Sequence, residues 1–343
     1  MFRIFTVLCL WLSATAALAD AAVYRVAIDN RINLLLTVNT DNSEAQSRVV
    51  YDASGAGGLS LQGNPPRNGA FQWKEMLYSK TDGQEKHTGT FSGQLSPDGD
   101  SGAGAWQSQD GKKNLPLTLQ RIAKTQTLKA NDIEVQVSYL QFDAPHLRQL
   151  NALLADAAKR ELSESGKALR KSLQEAKADG LSPEDLQRLA ISHSATVELA
   201  GPDLVSLLLL HYQDNGGAHG SYGYSAANYA ISPEGGVRPF GLWDAVQKSP
   251  ANIGKLAKAL LADLKRQKAS WVLDGNFTSK DVTERLAGDT ATVTVIPAGL
   301  AFTFDPYEAG SFAEGEYRSV IPNKLLAELY RPDGPLASRF RQP

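Results

Sequence analysis

His211, Asp214 and His219 are the residues whose types and spacing most readily suggest chemistry in this 343-residue chain. They flank the turn Asp214-Asn215-Gly216-Gly217-Ala218-His219-Gly220, between the apolar run 204–210 and a segment with tyrosines at alternate positions, Tyr222 and Tyr224. An apolar run broken by Asn-Gly punctuation reads as strand, tight connection, strand. If the two strands pair, the two imidazoles can lie near one another, and the alternative reading they open is hydrolysis of a cell-wall glycan or ester with His211, Asp214 and His219 as site residues. Zinc chemistry wants three ligands at a recognisable spacing. No His-Glu-x-x-His is present, and His87, His146 and His193 are scattered elsewhere. Neither a metal nor a cofactor is expected, so these three residues read first as turn and strand residues. Ser221, next to Gly220, has no Gly-x-Ser-x-Gly elbow around it and reads as a turn hydroxyl.

Two further motifs lose their ligands on inspection. Asp98-Gly99-Asp100-Ser101-Gly102 places carboxylates at alternate positions, but a calcium loop needs a bidentate Glu at its twelfth position and Gln109 stands there. A polar hairpin turn is the simpler reading. Thr303-Phe304-Asp305-Pro306-Tyr307 is superficially similar to the Thr-Phe-Asp-Asp of polysaccharide deacetylases, with Pro306 where their metal-binding second Asp stands. Asp305-Pro306-Tyr307-Glu308 therefore reads as a turn bearing an exposed aromatic. Tyr222, Tyr224, Tyr229, Trp243 and Tyr307 all fall in or beside predicted loops, where rigid amphipathic side chains make good protein or sugar contacts. His219, Tyr222, Tyr224 and Tyr307 are the candidate binding residues.

The elements that must position these groups follow from patterning. Arg3, the apolar run 4–12 and Ala17-Leu18-Ala19 form a secretory leader with cleavage near Ala19. The run is too short for a permanent membrane anchor, which needs about 20 residues. Cys9, the single cysteine, leaves with the leader, so neither a disulfide nor a thiol nucleophile is expected in the mature chain. Removing Arg3 leaves 34 basic residues against 37 acidic ones, a net charge near −3 with no block of five like charges. That argues against a nucleic-acid partner held by counterion release. The expected product is soluble, periplasmic or secreted, with no integral membrane segment.

Residues 20–122 alternate in short runs with turn signals about every ten residues, a β-meander or partly closed barrel. The pattern changes near 122–131, and an α+β unit is expected over 125–343: a mixed or antiparallel sheet with flanking helices. Leu147, Leu150, Leu154, Ala157, Ala158, Leu162, Leu169 and Leu173 form the stripe of a long amphipathic helix. Ser182-Pro183 and Ser249-Pro250 are helix starts, each a hydroxyl cap followed by proline where no donor is needed.

Asn215-Gly216-Gly217-Ala218-His219-Gly220, the Asn228-Tyr229 strand, the Gly299-Leu300 to Phe304-Asp305-Pro306-Tyr307-Glu308 segment, Ala313-Glu314-Gly315 and Val320-Ile321-Pro322 occur here in one order. Together, over residues 125–332, they resemble a bacterial domain of unknown function. That domain forms the extracellular part of lysozyme-sensing anti-sigma factors of the RsiV type and accompanies the catalytic unit of PdaC-type peptidoglycan deacetylases. The resemblance implies an exported, non-enzymatic binding protein for a lysozyme-like muramidase or for peptidoglycan. The alternatives are the hydrolase on His211, Asp214 and His219, and a periplasmic immunity or inhibitor protein against a toxin.

Overall fold

The computed structural model describes residues 19–39, 47–53, 59–79 and 84–340. The leader up to Leu18, Cys9 within it, and the turn signals at 41–42, 54–55 and 82–83 lie outside the described residues. Among the described residues no helix is long and apolar enough to cross a membrane.

Eight strands come first: β1 (Ala19–Ile28), β2 (Ile32–Asn39), β3 (Ser47–Tyr51), β4 (Leu59–Gln62), β5 (Ala70–Ser79), β6 (Gln84–Leu95), β7 (Ser101–Ser108) and β8 (Asn114–Lys129). Each pairs with the next, and β1 pairs back onto β8, which closes the meander into a barrel and removes its sheet edges. Alternation sorts the side chains. Ala22, Tyr24, Val26 and Ile28 point inward with Leu34, Leu36, Trp73 and Phe91, whereas Val23, Leu35 and Val50 point out onto the second half of the molecule. Packed apolar side chains fill the interior, and Phe71 stacks on Trp73 with ring centroids 4.3 Å apart.

The expected boundary at 122–125 falls inside β8. The strand passes this point with a one-residue bulge at Ile122, runs on past the barrel and pairs through 123–129 with β9 (Val135–Phe142). Then α1 (Arg148–Ala178) crosses the sheet and buries Leu150, Leu154, Ala158 and Leu169 at helical spacing. After α2 (Pro183–Arg188), started by Ser182 as expected, β10 (Ala190–Ala200) lies parallel to β9. The antiparallel strands β11 (Leu204–Asp214), β12 (Ser221–Ile231) and β13 (Val237–Phe240) complete the sheet.

The remaining chain forms a second sheet with its own helices: α3 (Leu242–Ala245), α4 (Pro250–Arg266), α5 (Ser270–Leu273), α6 (Ser279–Ala287), β14 (Thr292–Ile296), β15 (Gly299–Phe304), β16 (Tyr317–Pro322), α7 (Asn323–Leu326) and α8 (Ala337–Phe340). Leu256, Leu260, Val282, Leu286, Phe302 and Phe304 make the core between α4, α6 and this sheet. The fold is α+β.

Polar groups fix how the layers dock. Asn228 of β12 donates from Nδ2 to the Val293 carbonyl at 2.9 Å, and Ser206 of β11 accepts from the Val295 N–H at 2.9 Å, so side chains of one sheet satisfy the free backbone of β14. Glu198, extruded at a bulge in β10 and 0% exposed, takes Arg318 of β16 at 2.8 Å and Arg48 of β3 at 3.4 Å. One carboxylate therefore ties the barrel, the central sheet and the C-terminal sheet together.

Candidate functional site

The β11–β12 hairpin carries the stretch the sequence singles out. Its register sets His211 opposite Gly223, Tyr212 opposite Tyr222 and Leu210 opposite Tyr224. Asp214, almost buried, accepts the Gly216 N–H at 2.8 Å and lies 3.6 Å from Arg188 of α2. Gly216 has φ +75°, a conformation that an L side chain would strain, and this is why Asn-Gly occurs at that turn.

The three residues of the hydrolytic reading go to separate partners. His211 faces His193, Nδ1 to Nδ1 at 2.8 Å, and its Nε2 lies 2.7 Å from Ser225 Oγ. Asp214 serves the turn, and exposed His219 donates from Nδ1 to the Gly220 carbonyl at 2.8 Å. Among the described residues no group of three His, Cys, Asp or Glu side chains is placed to share a metal ion.

The four candidate binding residues do come together, and the residue that joins them is Phe312. His219 stacks on Phe312 with centroids 4.1 Å apart, while Tyr307 and Tyr222 meet the same ring at 5.6 and 5.7 Å. Tyr224 meets Tyr222 edge to face at 5.9 Å, and Trp271 extends the row beyond Tyr307 at 6.4 Å. Such edge and offset arrangements add about 0.5–1.5 kcal/mol per pair beyond area burial. Tyr307 is 55% exposed and has φ +68°. The turn that holds it there closes with Glu308 N–H to Asp305 O at 3.1 Å and Tyr307 N–H to Gly310 O at 3.1 Å. As the sequence leads one to expect, the segment is a turn presenting an aromatic. Tyr229 and Trp243 lie elsewhere: Tyr229 is in the core, and Trp243 donates from Nε1 to the Leu286 carbonyl at 3.1 Å.

Carboxylates fringe the aromatic row. Asp305 accepts the Tyr224 N–H at 2.9 Å through Oδ1, and its other oxygen crowds Gly223, where a Cβ would sit 2.8 Å away. Burial and the neighbouring Glu308 push the Asp305 carboxyl up to about 6, against the Tyr224 N–H and Arg285. Glu308 accepts the Asp305 N–H at 2.8 Å and pairs with Arg285. Glu316 takes the Tyr222 hydroxyl at 3.3 Å, and burial followed by this carboxylate pushes that phenol up to about 12. Glu314 is the clamp beneath. Burial acts to raise its pKa, yet hydrogen bonds from Ser270, Tyr317 and Ser311 hold it down at about 2. Those bonds run from Ser270 Oγ at 2.7 Å, Ser311 Oγ at 2.8 Å and Tyr317 OH at 2.6 Å.

Sequence reasoning missed Phe312, Trp271 and the carboxylates Asp305, Glu308 and Glu316 as parts of one site. Only the shared resemblance of the segments 299–308 and 313–315 signalled that this stretch belongs with the hairpin. The assembled surface joins aromatic faces to a fringe of carboxylates.

No protein-family model and no curated protein matches the sequence. Solved structures similar to part of the chain include two of the DUF3298 family. A member of the DUF3298 family from Bacteroides fragilis, 16% identical, aligns with a TM-score of 0.42 over 64% of this chain and 95% of its own. A DUF3298 family protein from Pseudomonas aeruginosa PAO1, 18% identical, aligns with a TM-score of 0.37 over 62% of this chain and 94% of its own.

Proposed function

We propose that this chain is an exported, non-enzymatic binding protein whose contact surface is the aromatic row of Trp271, Tyr307, Phe312, Tyr222 and His219. The partner is a basic protein of the cell envelope, of the lysozyme-like muramidase kind. The observation that carries the reading is the gathering of His219, Tyr222, Tyr224 and Tyr307 around Phe312, with Asp305, Glu308 and Glu316 at their edge. Aromatic anchors with a charged rim are the usual make-up of a protein contact, and carboxylates beside aromatic faces favour guanidinium and ammonium groups. The sequence resemblance to the lysozyme-sensing domain supports the choice of partner, and the leader pattern supports the periplasm or exterior as the place of action.

The test is to immobilise the mature protein and pass a c-type lysozyme and, separately, murein sacculi over it. Retention of lysozyme at micromolar concentration, lost at least tenfold in Tyr307→Ala, supports the reading. Retention of sacculi alone moves the partner from protein to peptidoglycan, and retention of neither ends both versions.

A further inference from the structure

The barrel has a second polar feature, far in sequence from the aromatic row. In β8 the register slips by one residue: Arg121 lies opposite Tyr24, whereas Ala123 lies opposite Val23 and Lys124 opposite Ala22, so that Ile122 is the extra residue of a bulge. Residues directly opposite across an antiparallel pair share a face. Tyr24 and Ala22 belong to the inward face of the barrel. The bulge thus turns both Arg121 and Lys124 to the inner side of one barrel end, two cations above an apolar interior, whereas uninterrupted alternation would bring only one of them there.

Among the described residues that end of the barrel is open. A groove of about 620 Å³ is floored and walled by Ala22, Tyr24, Leu95, Pro66 and Pro97, with Arg121, Lys124 and Asp98 among its lining groups. Its size falls within the range of about 300–1,000 Å³ typical of small-molecule sites. Most of its charges are already committed. Arg121, with its side chain only 9% exposed, pairs with Asp100 and with Asp143 at 2.9 Å. Asp98 turns its Oδ1 into its own turn, accepting from Ser96 Oγ at 2.6 Å and from the Asp100 N–H at 3.0 Å. Lys124 has no ion partner among the described residues, so with the Arg121 guanidinium taken by Asp100 and Asp143 its ammonium is the cation left for a ligand, and the Asp98 carboxylate stays on its own turn.

We propose that this barrel mouth binds a small free amphipathic anion, its apolar body on Ala22, Leu95, Pro66 and Pro97 and its carboxylate on the Lys124 ammonium. Below the groove the interior is filled by Val26, Leu36, Trp73 and Phe91, so the ligand sits in the mouth and does not thread the barrel. This site is separate from the aromatic row and independent of it.

The probe is octanoate, titrated calorimetrically into the mature protein beside 1-octanol and n-octylammonium. Octanoate is expected to bind saturably and about tenfold more tightly than octanol, with octylammonium weakest. Lys124→Met keeps the apolar stem and removes the charge; it should erase the preference for octanoate, and Lys124→Arg should keep it. Equal binding of all three probes, an unchanged preference in Lys124→Met, or no saturable binding of octanoate overturns the proposal. So does binding confined to phosphatidylglycerol vesicles, which would make the groove a lipid-surface contact.

Discussion

The ring of His219 lies on the ring of Phe312, centroids 4.1 Å apart and planes 22° from parallel, although 93 positions of sequence separate them. This stack joins the central hairpin to the segment after β15. Phe312 also touches Tyr222 and Tyr307, so it is the piece through which the site coheres. Replacing it with Ala should free all three partners and, on the proposed function, lower affinity for lysozyme at least tenfold. Phe312 is only half-buried, so the cost in stability should be about 1–2 kcal/mol. Binding measured beside thermal unfolding checks both parts, and full unfolding at 25 °C would contradict them.

Gly223→Ala tests the fit between the hairpin and Asp305. The new methyl would lie 2.8 Å from a carboxylate oxygen that already accepts the Tyr224 N–H. Asp305 must give way or the strand must shift, at about 1–3 kcal/mol. Denaturant unfolding reads the loss. Asp305→Ala in the same background should recover most of it, because the clash partner is then gone.

Asp305 also gives stability a pH dependence. Its folded pKa is raised to about 6, above an unfolded value near 3.9. The folded state then holds the proton more tightly, so this contribution is fully present below about pH 4 and is lost as pH rises through 6. With the group half in solvent, the effect should be about 1 kcal/mol, well under the unscreened conversion of the shift. Asp305→Asn should flatten the stability profile between pH 4 and 7. An unchanged slope would contradict the assignment.

Removal of one partner of Glu198 should be among the most damaging single changes in the protein. Arg318→Met leaves a fully buried carboxylate with Arg48 alone at 3.4 Å, and breaking a buried pair costs about 3–5 kcal/mol. The double variant Glu198→Leu, Arg318→Met should lose markedly less than the sum of the single losses. Chemical denaturation of the three variants measures the coupling.

His193 and His211 face each other through Nδ1 atoms 2.8 Å apart, with Glu161 and Ser165 of α1 beyond His193 and Ser225 beyond His211. One proton fits between the two nitrogens. Burial first, and then His211, push the His193 pKa down, while Glu161 opposes them. A base with a depressed folded pKa contributes stability that is present above an unfolded value near 6.5 and is lost as pH falls through its folded value. His193 should therefore titrate below 6.5 by NMR, and His193→Gln should weaken the acid sensitivity.

Much of the architecture was local enough to be legible in the chain. The alternation of Ala22, Tyr24, Val26 and Ile28 marks one buried face, the leucine stripe of α1 marks another, and Ser182-Pro183 and Ser249-Pro250 start helices where they stand. Asn215-Gly216 fixes the hairpin because the turn needs a positive φ. These features depend on neighbours within a few residues, so a linear reading reaches them. Tertiary structure alone decided what lies beyond that range. Closure of β1 on β8 depends on a pairing across most of the barrel sequence, and the slip at Ile122 that turns Lys124 inward exists only in that register. The same holds for the site. The hairpin's own tyrosines were visible as candidates, but Phe312 and Asp305 reach them only because Asn228, Ser206 and Glu198 dock the C-terminal sheet onto the central one. Sequence alone set the side chains and their local geometry; the packing of two sheets decided which of them meet.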